Sequence, residues 1–422
     1  MARLVHEMEA ASWFLHRSSL PPGLAPRRSQ LQVAPKVNPL WVVHFFSSLG
    51  LCPGMTPNSV GATRRVAPTN SELSLIMIRE RFLKILQAGK RGEGLSSADL
   101  EFLLSAEDPE EDEALFQTAD QVRQEKVGNE VHLRGIVEFS NICVQNCLYC
   151  GLRRDNRRLR RYRMTPGEIF DSARDAMERG LKTVVLQSGE DPWFTQDRLS
   201  GLIRRIKEET DLAITLSVGE RPAEDYRAWK RAGADRYLLK QETASPALFA
   251  RLRPGRTLTE RLDSLRALKE LGYEVGSGNM VGLPGQTAKD LVADIQLFKE
   301  WDFDMIGIGP FIPHPSTPLA ESPPGDLHRS VKILAVTRIV TGNTHLPATT
   351  ASGVLDPQGR KKALLAGANV IMPDITPRKY REHYDIYPGK TELQGGMDSL
   401  VPLITSLGRV IGRGAGNRRP PS

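Results

Sequence analysis

The sequence predicts an α/β fold, a complete (β/α)8 barrel of the TIM type preceded by an N-terminal helical lead-in. From about residue 131 onward, short apolar runs alternate with amphipathic segments, the pattern of strands connected by helices. Eight such units fit into about 240 residues, the usual size of this barrel. The 422 residues are 40% hydrophobic and 25% charged, an ordinary globular composition. A doubly wound open sheet is the alternative.

The predicted strands and helices alternate in chain order. The strands are 134–140, 183–188, 213–218, 236–241, 274–281, 304–310, 345–350 and 369–373. The helices are 166–179, 197–209, 222–231, 246–252, 258–271, 287–301, 326–341 and 359–366. Because parallel strands need a crossover between them, usually a helix, this alternation favours a parallel sheet.

Three further segments flank the barrel, which we expect at 131–390. Residues 71–130 are predicted to be helical, with Leu75, Ile78, Phe82 and Ile85 at helical spacing. Residues 391–422 are predicted to form a C-terminal helix and a basic tail, disordered from Gly408 onward.

Residues 1–70 are expected to be a disordered or non-native extension. They carry seven Lys and Arg side chains against two acidic ones. A targeting segment, a disordered tail and upstream sequence translated ahead of Met55 or Met77 all fit this composition, and we favour the third. Cys52, within this segment, is assigned no role.

Charge and composition exclude several classes of protein. The net charge of +7 comes mostly from residues 1–70, so it is weak support for nucleic-acid binding, and we expect no nucleic-acid partner. No run of about 20 apolar residues exists, so we expect no membrane span. Four cysteines are too few for a disulfide scaffold, which favours a reducing, cytoplasmic location.

Three of those cysteines form a candidate metal site directly after the first strand. Cys143, Cys147 and Cys150 have the spacing C-x3-C-x2-C. Thiolates suit iron–sulfur clusters or zinc, but structural zinc requires four protein ligands. Three thiolates leave one iron of a [4Fe-4S] cluster open, and open positions serve catalysis. A zinc site completed by a distant histidine stays open as the structural alternative, and a non-catalytic metal carrier as the functional one.

With Tyr149 just before its last cysteine, this motif resembles that of the radical S-adenosylmethionine (SAM) superfamily. The resemblance implies one [4Fe-4S] cluster whose fourth iron binds SAM, and reductive SAM cleavage to a 5′-deoxyadenosyl radical. It also implies an external one-electron donor. The second strand ends Gln187-Ser188-Gly189-Glu190, which is similar to the family segment that binds the SAM amino group.

Longer blocks resemble the HydE family of [FeFe]-hydrogenase maturases over roughly residues 75–412. They are Cys147–Asn156, Arg161–Pro166, Val185–Asp191, Gly233–Leu239, Met280–Gln286, Asp302–Pro315, Pro347–Thr350 and Ala368–Pro373. The resemblance implies that the radical attacks a sulfur of a cysteine-ligated Fe(CO)2CN precursor during assembly of the diiron site. It also implies two partners, the tyrosine-lyase maturase that delivers the precursor and a GTPase scaffold maturase. Methylornithine synthase and biotin synthase, which act on small amino-acid-type substrates, are the alternatives.

The same resemblance implies roles for individual residues. The cofactor set is Tyr149, Gln187, Ser188, Gly189, Glu190, Thr215, Ser217, Glu242, Arg261 and Met372, with Glu242 and Arg261 as a pair on SAM. The substrate set is Lys240, Thr349, Thr350, Tyr384 and Tyr387. Without the family, core packing is the simpler interpretation of Met372 and the tyrosines.

The sequence departs from the family pattern twice. Lys240 stands where an arginine is expected, so a point charge replaces a bidentate fork and we expect altered substrate affinity. Residues 388–422 contain no cysteine, so we expect a single cluster.

Arg153–Arg163 contains seven arginines in eleven residues. Local electrostatic support of an anionic site is the favoured interpretation, with a protein-docking surface and nucleic-acid binding as alternatives. His314, in Pro-His-Pro after the sixth strand, is either structural or a cavity residue.

Overall fold

The structure, a computed structural model, describes residues 70–390 and 397–418. They belong to one compact unit, Pro68–Ser422. The expectations for residues 1–69, including Cys52, concern residues outside the described ranges. No helix in the described ranges is long and apolar enough to cross a membrane.

The elements follow the predicted order. The helices are α1 Asn70–Lys90, α2 Ser97–Ser105, α3 Pro109–Val127, α4 Pro166–Glu178, α5 Gln196–Glu209, α6 Ala223–Ala232, α7 Pro246–Leu252, α8 Leu258–Glu270, α9 Ala288–Trp301, α10 Leu327–Thr341, α11 Thr350–Leu355, α12 Gly359–Leu365, α13 Arg378–Arg381 and α14 Met397–Ser406. The strands are β1 Glu130–Leu133, β2 Gly135–Ser140, β3 Thr183–Ser188, β4 Ala213–Ser217, β5 Arg236–Leu238, β6 Glu274–Val281, β7 Met305–Pro310, β8 Val370–Ile371 and β9 Val410–Ile411.

Local sequence signals begin the crossover helices. Thr165 with Glu168 forms a capping box at the start of α4, and Thr257 with Glu260 does so at α8. In each box the threonine hydroxyl accepts from a backbone N–H while the glutamate accepts from the cap residue, which satisfies two otherwise unpaired donors. These caps explain why the helices begin where the sequence predicts them.

The strands β2 to β7 form one parallel sheet in chain order, which confirms the α/β class. Isolated parallel bridges join Met305 to His345, Pro347 to Val370 and Ile136 to Asp374. The predicted strand 345–350 is therefore reduced to two bridges, and its proline has no N–H to donate. Six regular strands form the continuous ladder, and closure by eight stays a prediction.

The helical lead-in packs against the outside of the sheet domain. Asp112, in α3, forms an ion pair with Lys332 at 2.7 Å and contacts the His328 ring at 2.6 Å, both in α10. The apolar side chains of α1 to α3, including Phe82, Leu100 and Leu115, are buried in the main core. This burial holds α1 to α3 against the α9 and α10 side.

The C-terminal segment differs from the disordered tail that composition predicts. Strand β9 pairs with β1, and the residues after it cover the amino ends of the strands. Arg134 donates to the Gly416 carbonyl at 2.9 Å and Arg236 to the Ala415 carbonyl at 3.0 Å. Buried guanidinium groups need acceptors, and these backbone carbonyls supply them. The expectation of disorder is therefore wrong for residues 408–418.

Candidate active site

The cysteines lie on a long loop that leaves the carboxyl end of β2, and polar contacts fold this loop back on itself. The Asn141 side-chain amide donates to the Arg160 carbonyl at 2.8 Å and to the His383 carbonyl at 2.6 Å. Its oxygen accepts from the Tyr162 N–H at 2.8 Å. Asn141 thus joins the beginning of the loop to its end.

Arg161 is the second tie of this loop. Its guanidinium donates to four backbone carbonyls at 2.6–3.2 Å, those of Asn141, Leu152, Arg153 and Asn156. A rigid planar fork with five donors is suited to gathering carbonyls in this way. This arginine of the run therefore shapes the loop from inside.

The three thiols are half-buried and close enough to influence one another. Burial raises the pKa of the Cys143 thiol to about 11, and the thiol of Cys147 contributes to that rise. Burial also raises the pKa of Cys150, and here both other thiols contribute. Metal binding relieves such a rise, because the metal binds the thiolate and displaces the proton.

The donor set fits the cluster that the motif implies. The described residues hold three cysteines, all on this loop, and three soft thiolates match a [4Fe-4S] cluster with one open iron. Within the described ranges, no three His, Cys, Asp or Glu side chains converge as the ligands of a single ion would. The cysteines of a cluster bind different irons, so their sulfurs do not share one ion.

The end of β3 lies directly against the cysteine loop. A Cβ at Gly189 would lie 2.3 Å from the Ile142 carbonyl oxygen and 2.8 Å from the Cβ of Cys143, so only glycine fits. The Glu190 N–H donates to the Cys143 sulfur at 3.4 Å, and the Glu190 carbonyl accepts from the Val144 N–H at 3.1 Å. The structure thus brings the predicted SAM segment to the first cysteine.

The other residues of the predicted SAM segment, Gln187 and Ser188, make hydrogen bonds at the end of β3. The Gln187 amide donates to Glu138 at 3.3 Å, and the Ser188 hydroxyl donates to the Gly189 carbonyl at 2.7 Å. In β4, Ser217 pairs in register with Gln187. Thr215 lies two residues earlier in β4 and is buried. Its hydroxyl has no hydrogen-bond partner among the described residues.

The Glu190 carboxylate is buried between three elements. It accepts from the Gln145 amide at 2.5 Å and from the Glu220 N–H at 3.1 Å, and Arg253 lies 3.7 Å away. Burial raises its pKa, and the amide of Gln145 and the charge of Arg253 counteract that rise. Gly219, with φ +78°, makes the necessary room, because a Cβ there would collide with the Glu190 side chain.

Glu242 has a strained backbone. Its φ is +68°, a left-handed conformation that costs a non-glycine residue roughly 1 kcal/mol. Backbone bonds to β6 hold it there: its N–H donates to Gly278 at 2.9 Å and its carbonyl accepts from Met280 at 3.1 Å. Burial raises the pKa of its carboxyl, while Lys240, Arg253 and Tyr149 lower it.

A buried carboxylate beneath Glu242 supports the strained turn. Asp294, in α9, accepts from the Ala244 N–H at 2.5 Å and from the Asn279 amide at 2.7 Å. Burial raises the pKa of Asp294 to about 7, in spite of these two bonds. Sequence reasoning did not identify Asp294, because it lies on a helix that looks like an ordinary crossover.

Arg261, predicted together with Glu242 to hold SAM, lies among polar groups of the chain. Its guanidinium contacts the Glu220 carboxylate and the Lys240 carbonyl. Arg253 is the arginine whose charge reaches Cys147, Glu190 and Glu242. Sequence reasoning missed Arg253 and Glu220, since only contacts between distant segments mark them.

The residues predicted to bind substrate lie in and after the strands, near the carboxyl ends of the sheet. Thr349 lies beside Gly309, and its hydroxyl is 3.0 Å from that of Ser352. Thr350 begins α11, Tyr384 is buried, and Lys240 (next to Gly307), Met372 and Tyr387 are half-buried.

Glu138 was not predicted, although it is fully buried in β2 at the same end of the sheet. It contacts Lys390, which also lies 3.3 Å from Asp374. Burial raises the pKa of Glu138 to about 8, and Lys390 opposes the rise. Its charge contributes to a raised pKa at Tyr384, which places the two groups in one polar cluster.

His314 supports the cysteine loop from below. Its Nδ1 accepts from the Ser316 N–H at 3.0 Å, so Nε2 carries the proton and donates to Asp385 at 3.0 Å. A Cβ at Gly151 would lie 2.6 Å from the ring. These contacts favour the structural interpretation of His314.

Comparisons with known proteins agree with this geometry. A model of the radical SAM superfamily matches residues 137–298. The [FeFe] hydrogenase maturase subunit HydE of Thermotoga maritima is 54% identical over 320 residues, 75% of this chain and 92% of that protein. The 3-methylornithine synthase of Methanosarcina acetivorans is 31% identical over 279 residues, 66% of this chain and 79% of that protein.

Solved structures show the same architecture. Methylornithine synthase superposes with a TM-score of 0.70 at 28% identity, covering 78% of this chain and 97% of that one. HydG, a maturase of the [FeFe]-hydrogenase, superposes with a TM-score of 0.69 at 20% identity, covering 81% of this chain and 79% of that one. At 20% identity, the similarity to HydG shows only that the two chains share a fold.

Proposed function

The chain belongs to the radical SAM superfamily of enzymes, in the branch of the HydE maturases, and from this premise we propose that it acts in assembly of the diiron site of [FeFe]-hydrogenase. The superfamily implies a [4Fe-4S] cluster and SAM. When bound, they supply one-electron chemistry: reductive cleavage of the sulfonium to methionine and a 5′-deoxyadenosyl radical. The proposed substrate is a cysteine-ligated Fe(CO)2CN precursor whose sulfur the radical attacks.

One observation carries the proposal: the cysteine loop and the end of β3 meet at Gly189. The closeness of Gly189 to Ile142 and Cys143 places the backbone of Glu190 against a thiol. A cofactor bound to a cluster on these thiols would be within reach of the backbone carbonyls at the strand end. Backbone carbonyls accept from an ammonium, which fits the SAM amino group.

We assign the chain's residues as follows. Cys143, Cys147 and Cys150 hold the cluster. The end of β3, the end of β4 and Glu242 bind SAM, with Tyr149 and Met372 packing around it. Arg261 acts from behind through Glu220 and the Lys240 carbonyl, as a positioning residue.

The proposed substrate pocket lies deeper, on the β7 to β8 side. Lys240, Thr349, Thr350, Tyr384 and Tyr387 line it, and the hydroxyls and the ammonium suit an anionic metal complex. Glu138 lies close to these tyrosines and is paired with Lys390. This polar group favours a charged substrate over an apolar one.

The proposed partners are a tyrosine-lyase maturase that delivers the precursor, a GTPase scaffold maturase that receives the product, and a one-electron donor. We propose a single cluster per chain, because residues 388–422 contain no cysteine for a second one.

Anaerobic reconstitution tests the core of this proposal. We expect a [4Fe-4S]+ EPR signal that shifts when SAM is added, followed by 5′-deoxyadenosine and methionine in the presence of dithionite. A cluster that forms but neither binds nor cleaves SAM contradicts the proposal and favours a metal carrier.

A second candidate is an enzyme that rearranges a small amino acid, since 3-methylornithine synthase is 31% identical. Adding L-lysine and, separately, the cysteine-ligated iron precursor distinguishes the two. Deuterium from labelled lysine in the 5′-deoxyadenosine supports the second candidate. An adenosylated sulfur product from the iron precursor supports the first.

A further inference from the structure

The arginine run Arg153–Arg163 divides into two groups with different surroundings. Arg161 is bonded to four carbonyls, and Arg163 holds Asp191 through two bonds of 2.6 and 2.9 Å. Arg157, Arg158 and Arg160 are exposed, and their guanidinium groups have no ion pair or hydrogen bond with any described residue. We call these three the outer arginines.

The outer arginines are held on a fixed backbone beside the cysteine loop. The Asn156 amide donates to the Gly151 carbonyl at 2.7 Å and its oxygen accepts from the Arg158 N–H at 3.2 Å. Earlier in the same segment, the Arg154 N–H donates to the Gln145 carbonyl at 2.8 Å. This last bond joins the basic segment to the residues between the first two cysteines.

The charge of the outer arginines is not neutralised locally. Among residues 141–163 there is a single carboxylate, Asp155, and it is occupied by Arg154 at 3.1 Å and by Asn146 at 2.6 Å. Three guanidinium groups within four residues repel one another, and only solvent or an external anion offsets that repulsion. A rigid cationic surface of this kind attracts an acidic partner and speeds its encounter.

The cysteine loop adds an apolar contact to the cationic surface. Val144, adjacent to Cys143, is 48% exposed, although valine is usually buried. Val144 and the outer arginines lie on the same loop, and protein interfaces combine exposed apolar residues with charged ones. Weak redox complexes use interfaces at the small end of the size range.

We propose that the outer arginines and Val144 form the docking surface for an acidic protein that carries a one-electron centre. The inference rests on the proposed function, which consumes one electron for each SAM cleaved. In the complex one electron passes from the reduced carrier to the cluster, so the carrier is oxidised and the cluster reduced by one electron each. Electron transfer slows steeply with distance, which requires docking at this loop.

Two observations disfavour nucleic acid as the occupant. No Phe, Tyr or Trp side chain in the described ranges is exposed, so bases have no large aromatic ring on which to stack. The outer arginines also lie within four consecutive positions, whereas nucleic-acid grooves follow a backbone over many phosphates.

The test compares the wild-type holoenzyme with the combined variant Arg157→Gln, Arg158→Gln, Arg160→Gln. The matched control is Arg204→Gln, Arg227→Gln, Arg231→Gln, which removes three exposed arginines of α5 and α6 that likewise lack ion pairs with described residues. The probe is a flavodoxin, an acidic one-electron carrier protein. Calorimetry measures its binding in the oxidised form at low and high salt, and 5′-deoxyadenosine formation is measured with reduced flavodoxin and with dithionite.

We expect the outer-arginine variant to show about tenfold lower affinity for flavodoxin and about tenfold slower flavodoxin-driven formation of 5′-deoxyadenosine than the wild type. The difference in affinity between wild type and variant should decrease at high salt. Its iron content and dithionite-driven rate should match the control. Equal flavodoxin binding by both variants overturns the inference, as does a selective loss of binding to a short single-stranded RNA. A wild type that cleaves no SAM even with dithionite refutes the proposed function, while the binding measurement still decides the docking surface.

Discussion

The two ends of the parallel sheet differ in the titratable groups whose pKa burial shifts. At the carboxyl ends of the strands lie thiols and carboxylates, and burial raises the pKa of Cys143, Glu190 and Glu242. At the amino ends burial lowers the pKa of Arg134 and places His345 well below its ordinary value. One end thus holds groups that resist becoming anions, and the other holds groups that resist becoming cations.

The two ends also differ in what satisfies their buried groups. The C-terminal segment covers the amino ends, and its carbonyls accept from Arg134 and Arg236. The carboxyl ends instead hold Glu242 in a strained, left-handed backbone conformation. A cationic sulfonium and a cluster fit the second environment. This division agrees with the general rule that barrels place chemistry at the carboxyl ends and stability at the amino ends.

The largest expected effect is functional and comes from the carboxyl end. We expect Cys147→Ser to abolish cluster binding and SAM cleavage, because a serine hydroxyl is a poor ligand for iron of a cluster. The thermal unfolding of the protein without its cluster should change little, since the thiol is half-buried. Iron content, product analysis and calorimetry check this.

The control is Cys52→Ser, which removes a cysteine outside the motif and should leave iron content unchanged. A Cys147→Ser protein that keeps its cluster would contradict the assignment of the three ligands.

The second effect is on stability and comes from the amino end. Removing residues 412–422 should lower the free energy of unfolding by about 3 kcal/mol, because Arg134 and Arg236 lose their carbonyl acceptors. SAM cleavage per folded molecule should remain. Denaturant unfolding and product analysis measure the two quantities.

The milder variant Arg418→Gln removes the contacts with Asp302, Asn343 and Asp304 and should cost less. If truncation reduced cleavage but not stability, the proposed division between the two ends would be wrong.

The third effect concerns pH. The pKa of Asp294 is raised by burial to about 7, with Asp290 and Glu242 adding to the rise, so the folded state holds a proton that the unfolded state releases near its ordinary pKa. Stability therefore falls as the pH rises from about 4 to 7. In the Asp294→Asn variant, the free energy of unfolding should fall by roughly 2 kcal/mol less between pH 5 and 8 than it does in the wild type.

Asparagine is tolerated there because the Asn279 amide can turn its oxygen, which has no partner among the described residues, toward the new N–H. Denaturant unfolding at both pH values measures the slope. Identical slopes in wild type and variant would show that Asp294 is ionised throughout, as in an ordinary surface carboxylate.

The smallest effect is on substrate affinity. Lys240→Arg restores the residue expected for the family, and a bidentate fork should lower the KM for an anionic substrate a few-fold. The space is tight, because the Lys240 side chain lies beside Gly307. Unchanged KM with unchanged stability would separate Lys240 from substrate binding.

Much of the fold was predictable because it follows from local spacing. Strand and helix positions, the C-x3-C-x2-C motif and the end of β3 depend on residues close together in the chain. The last two strands were overestimated, since Pro347 and Pro373 each lack a donor for the ladder. Single bridges replace the predicted strand 345–350, and the predicted strand 369–373 is shortened to Val370–Ile371.

The sequence by itself determined the class of the fold, the three thiols and the position of the glycine that brings β3 to them, because periodicity and motif spacing are written in chain order. Only the tertiary structure decided that Arg253 reaches Cys147, that Arg261 pairs with Glu220 and that Asp294 supports Glu242. Only the tertiary structure showed that residues 408–418 pack against the sheet, and that the outer arginines lack the contacts that Arg161 makes. Those outcomes depend on contacts between distant segments and on burial, which no local pattern records.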